Sequence, residues 1–518
     1  MRKQRSAAAL AAATLLLVTG AGIATAPAAW AGVPGGTRAD DRNHDFDGDG
    51  FDDVLIGAPG ATVGGKRGAG LVTVQYGSPD GIDTRAATIV SQNTTGVPGA
   101  AETGDSFGAA VATGDLDGDG YDDAVIGAPG EDLGTRADAG GVIVLWGSPH
   151  GLVGSDSLWI DSLLGPAAGA RFGSAFAAAR FTAETAGDQL IVLDRRSTEW
   201  HRFGSASRAG GARLAADPRA HTARALDRTS VVRDGARDGA RTAAAAPRDL
   251  VAKSVTTGDY DKNGFADLVI SGVTTGAEPG HGWSWYLAGR TDSLVYQREL
   301  RGGPVTASGD IDGDGYDDLV TGEPHSPDDG GESMTGGLVG VYRGGRNGPA
   351  GATGVGTPPQ WWTQNSAGVP GASERGDGWG ADLSLGDTNR DGRADLAIGA
   401  PGEDIGTVAD AGMVTVLRGT ARGLTGTGAA SWTQDSPSVP GGVERGDRFG
   451  GQVRLVDPDA DGRFSLLAAA PGENTADGHV WVLPARTGGI GATGSWSFGV
   501  ASFGGPYLDA RYGSAIDE

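Results

Sequence analysis

The sequence contains no cysteine in 518 residues. Disulfides and thiolate metal sites are therefore excluded, and the fold must be held by its core, by oxygen-ligated metal, or by both. Basic residues are outnumbered: 41 Lys and Arg stand against 65 Asp and Glu, a formal charge of −24. So acidic a chain does not seek nucleic acid or anionic lipid, but it suits cations. Beyond the N-terminus no apolar run approaches the ~20 residues that span a bilayer. No Gly-x-Ser-x-Gly elbow or phosphate loop occurs. The seven His, His44, His150, His201 and His325 among them, recur with no partner. Long segments of helical period are missing too, with 205–248 the one doubtful stretch.

The N-terminus reads as a secretory signal. Arg2, Lys3 and Arg5 form a basic end, Ala7 to Val18 an apolar run, and Ala29-Trp30-Ala31 a small-x-small cleavage site. Cleavage after Ala31 by a Sec-type route removes three positive charges and no negative ones, leaving the remainder more acidic still. The expected product is extracellular, without a membrane anchor and monomeric.

What is abundant is glycine, 94 residues, and it recurs inside a repeat. Asp115-Leu-Asp117-Gly-Asp119-Gly-Tyr121-Asp-Asp123 leads into a strand-like run that ends at Gly127-Ala128-Pro129. The same spacing gives Asp45, Asp47, Asp49, Phe51 and Asp53. It gives Asp259, Asp261, Asn263, Phe265 and Asp267, and then Asp310, Asp312, Asp314, Tyr316 and Asp318. It gives Asp387, Asn389, Asp391, Arg393 and Asp395. Asp457, Asp459 and Asp461 start a sixth copy, in which Ser465 stands at the last acidic place, so this site is doubtful. A seventh copy carries Arg180, Thr182 and Glu184 at the first ligand positions and has lost the fit to a metal. Copies lie roughly 50 to 80 residues apart, room for one four-stranded sheet with its loops. Each reads as aromatic-Gly, a short strand, the acidic loop, a strand ending at Gly-Ala-Pro, then two further strands.

The acidic loop looks like the start of an EF-hand, but an EF-hand needs a bidentate Glu at position twelve. That position holds Ile126, Ile56, Ile270 and Ile398, inside strands. The reading is a nine-residue hairpin loop. Carboxylates or amides at positions one, three, five and nine are the ligands, with the backbone carbonyl of position seven (Phe51, Tyr121, Phe265, Tyr316, Arg393). Gly at position six supplies a positive φ. Crowded carboxylates repel one another unless a hard cation neutralises them, and oxygen-only ligands argue for calcium over zinc or copper. About five Ca²⁺ sites are expected, one per complete loop.

Phe107-Gly108, Asp115 to Asp123 and Gly127-Ala128-Pro129 in this order resemble the FG-GAP repeat of the integrin alpha-subunit propeller, here in a secreted bacterial form. Phe449-Gly450 with Ala470-Pro471, and Trp379-Gly380 with Gly399-Ala400-Pro401, fit the same motif. The resemblance implies an all-β, seven-bladed propeller of four-stranded antiparallel blades over 32–518, with calcium between the first two strands of a blade. Blade 1 is expected at 45–100 plus 508–518, blade 2 at 105–168, blade 3 at 170–204 and blade 4 at 249–302. Blade 5 follows at 303–372, blade 6 at 377–442 and blade 7 at 447–505. Residues 205–248, rich in Arg and Ala, read as a flexible insertion. Blade 1 lacks an aromatic-Gly strand at its start, and Ala510-Arg-Tyr512-Gly513-Ser-Ala supplies one that matches Ala170-Arg-Phe172-Gly173-Ser-Ala. The expectation is closure of the ring by the C-terminal strand.

The resemblance implies a binding or adhesion module for an extracellular protein rather than an enzyme. A lectin-like propeller is the alternative, with Trp159, Trp361, Trp362, Trp432 and Trp496 as sugar platforms unless they pack between blades; a hydrolase is the third. Arg375-Gly376-Asp377 and Arg445-Gly446-Asp447 spell an integrin ligand. Both sit where Thr103-Gly104-Asp105 precedes Phe107-Gly108, so they read as parts of the blade connection.

Overall fold

The computed structural model describes residues 44–163, 165–185, 187–194, 200–207, 213–216, 250–275, 279–325 and 335–517. The signal segment and most of 205–248 lie outside the described residues.

Seven four-stranded antiparallel sheets succeed one another along the chain. Blade 2 shows the pattern. Val111–Gly114 is innermost, followed outward by Asp123–Ala128, Gly141–Trp146 and Val153–Ile160. The two middle strands are buried at every position, which is why they read as unbroken β-branched runs rather than as alternating ones. The innermost strands are Ala515–Ile516, Val111–Gly114, Phe176–Ala179, Leu250–Gly258, Val305–Gly309, Asp382–Gly386 and Gln452–Val456. Each lies beside the innermost strand of the next blade, and the last meets the first. They enclose a central cavity of about 480 Å³ lined largely by small residues such as Ala112, Ala178, Ser254 and Ser384.

The C-terminus closes the ring. Ala515 and Ile516 pair antiparallel with Gly57 and Ile56 of blade 1. The N–H of Gly513 donates to the carbonyl of Gly57 at 3.0 Å, and that of Asp517 to Leu55 at 3.2 Å. A ring closed by pairing first and last segments leaves no open inner edge.

The aromatic-Gly motif has a packing reason. Phe107, Phe172, Trp379, Phe449 and Tyr512 are fully buried, each in a cluster shared with the neighbouring blade. The following glycine takes a positive φ, 83° at Gly108 and 80° at Gly513, a conformation costly for other residues. Its carbonyl presses on the Gly of the preceding blade's Gly-Ala-Pro. A Cβ on Gly57 would sit 1.9 Å from the Gly108 oxygen.

Blade 3 departs from expectation. Its outer strands are Trp200–Ser207 and Arg213–Ala216, so the blade runs past 204 into the stretch read as insertion. Arg and Ala there masked the strand pattern. In blade 7 a two-stranded hairpin, Ala485–Arg486 with Gly489–Ile490, precedes the outer strand Trp496–Phe498.

Candidate metal centres

In every blade but the first the acidic loop, or its degenerate copy, joins the innermost strand to the next, and in blade 1 it leads into Val54–Ala58 beside the C-terminal strand, so all of them project from one face of the ring. Position one organises the loop. In blade 1, Asp45 Oδ1 accepts the N–H of Gly48 and of Asp49, at 2.6 and 3.1 Å, and Oδ2 accepts that of Gly50 at 2.9 Å. Asp115 and Asp310 repeat all three bonds. Position six is left-handed throughout, with φ of 90° at Gly50 and 91° at Gly120.

Position nine is the buried end. Asp53, Asp123, Asp267, Asp318 and Asp395 are 0–2% exposed. One oxygen accepts the N–H of the glycine that ends the third strand, Gly77 to Asp53 at 2.9 Å and Gly147 to Asp123 at 2.9 Å. In four blades the other accepts the N–H of position two, as Phe46 to Asp53 at 2.9 Å. Position two plugs the loop with a buried apolar side chain: Phe46, Leu116, Tyr260 or Ile311. Blade 6 has Thr388 there.

These bonds bring carboxylates together. Oxygens of Asp45, Asp47 and Asp53 lie within 4.8 Å of one another; so do those of Asp115, Asp117 and Asp123, of Asp259, Asp261 and Asp267, and of Asp310, Asp312 and Asp318. Asp457, Asp459 and Asp461 also converge, without a ninth carboxylate. The position-five residues Asp49, Asp119, Asn263 and Asp314 hold the turn through bonds to position seven, as from the N–H of Phe51 to Asp49 Oδ1. Blade 6 differs. The carboxylate of Asp395 faces Thr388, Asn389 and Arg418. In blade 3 the register puts Gln189 where the ninth carboxylate belongs, and its Nε2 donates to Thr182.

Burial governs the electrostatics. It pushes the Asp53 carboxyl up to about 9, Asp267 to about 8 and Asp318 to about 7. Burial, followed by the Asp49 charge, pushes Asp47 to about 6. Asp123 is raised well above the usual range by burial and then by Asp117. A hard cation among these oxygens would remove the penalty that drives every one of these shifts. Asp261 Oδ1 and Asp312 Oδ1 are buried and accept no hydrogen bond, as atoms reserved for a metal would be. The donor set, carboxylate and carbonyl oxygen alone, fits a hard divalent cation.

Sequence reasoning passed over the acid at position eight. Asp122 Oδ2 accepts the N–H of Asp45 at 3.1 Å, and Asp317 Oδ2 that of Asp259 at 2.8 Å. Asp52 Oδ2 accepts the N–H of Asp457 at 3.1 Å. Each binds the loop of the preceding blade, across the ring's junction in the last case. The Asp-Asp doublet that ends the loop was the available signal.

The opposite face carries the tripeptides. Asp377 and Asp447 are 3% and 1% exposed. Their Oδ2 atoms accept the N–H of Glu374 and Glu444, as Asp105 does from Glu102. The integrin-ligand resemblance ends with that burial. Glu131 and Glu403, in the loops after Gly-Ala-Pro, accept from Gln92 and Gln364. Four of the five tryptophans pack inward, while Trp361 is half-buried beneath the Arg301 guanidinium. Trp362 is buried, and Trp159, Trp432 and Trp496 pack on interblade clusters.

The FG-GAP repeat model matches residues 45–74, 107–145, 302–336 and 379–417. These are FG-GAP repeats. They account for the acidic loops of blades 1, 2, 5 and 6 and for the aromatic-Gly turns of blades 2 and 6, and the other blades share the architecture. Integrin alpha-5 of Xenopus laevis is 38% identical over 89 residues, 17% of this chain and 8% of the integrin. Among solved structures, Aleuria aurantia lectin in complex with alpha-methyl-L-fucoside aligns over 74% of this chain and 93% of its own. The identity is 10% and the TM-score 0.33. A Bacillus licheniformis rhamnogalacturonan lyase covers 86% of this chain and 74% of its own, at 9% identity and a TM-score of 0.28. Scores this low carry no argument about function. Among the described residues no helix is long and apolar enough to cross a membrane.

Proposed function

We propose that the FG-GAP ring is a calcium-clamped, non-enzymatic binding module that works outside the cell on a protein partner. The observation that carries the calcium part is the convergence of positions one, three and nine in blades 1, 2, 4 and 5. There, buried carboxylates are pushed towards protonation. In these loops Asp45, Asp115, Asp259 and Asp310 with their third and ninth partners would hold the ion. The calcium would supply charge neutralisation between the two inner strands. Extracellular modules of this kind bind with Kd of about 10⁻⁴–10⁻³ M, which makes such ions structural rather than signalling.

The integrin similarity supports the binding role, and the inward packing of Trp159, Trp362, Trp432 and Trp496 leaves Trp361 alone of the five as a candidate sugar platform. The partner surface we favour is the face away from the metal loops. There Asp132 and Asp404 brace exposed loop tips through bonds to the N–H groups of Asp138 and Asp410. The test immobilises residues 32–518 and screens extracellular proteins and a glycan array, in calcium and in chelator. A protein held only in calcium supports the reading. Sugars held with loss on Trp361→Ala would replace it with a lectin, and silence in both screens would overturn it.

A further inference from the structure

Three blades bring an arginine from the end of the third strand, or from the residue just after it, to their own acidic loop. Arg290 Nη1 lies 2.8 Å from Asp261 Oδ2, and Arg343 Nη1 lies 3.2 Å from Asp312 Oδ2. Both reach position three on its outer oxygen, and the other oxygen of the same carboxylate stays buried and unbonded. Arg418 does something else. Its Nη1 lies 3.2 Å from Asp395 Oδ2, the ninth-position carboxylate, and 3.2 Å from Thr388 Oγ1. Asp395 is fully buried, while the Arg418 side chain is 22% exposed.

The same Asp395 oxygen has two more donors. The Thr388 hydroxyl donates to it, and Asn389 Nδ2 approaches at 3.4 Å. The other oxygen accepts the N–H of Gly419 at 2.9 Å. Each departure in this loop serves a guanidinium rather than a metal. Thr388 replaces the apolar plug with a hydroxyl. Asn389 replaces the third carboxylate and removes one negative charge. Arg418 stands where blades 1 and 2 have Tyr76 and Trp146 and blade 5 has Arg343, in each case the residue before the glycine that bonds to position nine, but Arg343 turns to position three and only Arg418 reaches position nine. Arg418 Nη2 also donates to the Gly488 carbonyl in the blade 7 hairpin, so the cation is anchored at both ends. A buried carboxylate already neutralised by a bidentate-capable donor has little to offer a divalent ion, and the guanidinium repels one.

We propose that Arg418 is the resident cation of blade 6. Its guanidinium takes the place that calcium takes in blades 1, 2, 4 and 5, and the loop from Asp387 to Asp395 takes up no metal. This rests on the calcium reading above. The experiment counts calcium ions on the whole secreted chain by native mass spectrometry, for the wild type, Arg418→Met, Asp391→Asn and Asp47→Asn. The expected result is one additional ion on R418M, an unchanged count on D391N and one ion fewer on D47N. Asp391 is exposed, so D391N reports even where R418M does not fold. A count on R418M that does not rise, or a D391N count that falls by one, overturns the inference. A wild type without any ion, together with an unaltered D47N, marks instead the failure of the calcium reading.

Discussion

The hydroxyl of Tyr512 lies 2.7 Å from Oγ1 of Thr73, between side chains that are both buried and 439 residues apart. Thr73 Oγ1 in turn accepts from Gln75 Nε2 at 2.8 Å. The contact fastens the end of the chain to the third strand of blade 1, Leu71–Tyr76. Tyr512→Phe keeps the packing and should cost about 1 kcal/mol, the net value of one buried hydrogen bond. Tyr512→Ala should cost about 3–5 kcal/mol, and removal of 508–518 should lower the melting temperature further. Thermal melts of the three variants check this order. An unchanged melting temperature on truncation would mean that the C-terminal strand does not close the ring.

Close approach between blades gives a second prediction. Gly57→Ala puts a Cβ 1.9 Å from a backbone oxygen of the next blade, whereas a Cβ on Gly345 meets nothing within 4 Å. Denaturant titration should show G57A destabilised by several kcal/mol and G345A within about 0.5 kcal/mol of the parent. Equal effects at the two sites would contradict the interblade packing described.

Much of this was legible in the sequence because the repeat announces itself. Seven copies of one spacing fix the blade count, and Ala510-Arg-Tyr512-Gly513 identifies the closing strand by its likeness to Ala170-Arg-Phe172-Gly173. The loop residues were legible for the same reason. The arginines were not. Arg418 lies 23 residues beyond Asp395, and only the fold of the third strand brings it back. The interblade role of Asp52, Asp122 and Asp317 was hidden because it depends on the neighbouring blade. Blade 3 was misjudged at its outer strands, since Arg213–Ala216 has the composition of the insertion that follows.

The Arg-Gly-Asp tripeptides yield a third prediction. Asp447 is buried and holds the turn at Glu444, while Arg445 makes no contact that the turn requires. Asp447→Ala should destabilise by about 1–3 kcal/mol, the penalty for unpaired backbone donors. Arg445→Ala should be nearly neutral. Calorimetric melts distinguish them. Loss of stability on R445A alone would be the wrong sign for this account.

Acid should stabilise the ring when calcium is absent. Burial pushes Asp105 up to about 6 and Glu131, Asp377 and Glu473 up to about 7. Their folded values lie above the unfolded range near 4, so the folded state binds more protons. Their contribution is complete below about pH 4 and is lost as pH rises through 6 to 7. In chelator, the melting temperature should therefore rise between pH 8 and pH 5.5. The metal-loop carboxylates shift in the same direction, so the gain from added calcium should shrink over the same interval. A melting temperature that falls on acidification in chelator would show that these carboxylates are not buried as described.

The most direct measurement is a calorimetric calcium titration of residues 32–518, with melting curves in calcium and in chelator. The account predicts about four ions, one for each loop in which positions one, three and nine converge. Each site should add about 1.4 kcal/mol at ten times its Kd. Absence of both binding heat and a shift in melting temperature would leave the acidic loops as turns and withdraw the calcium clamp.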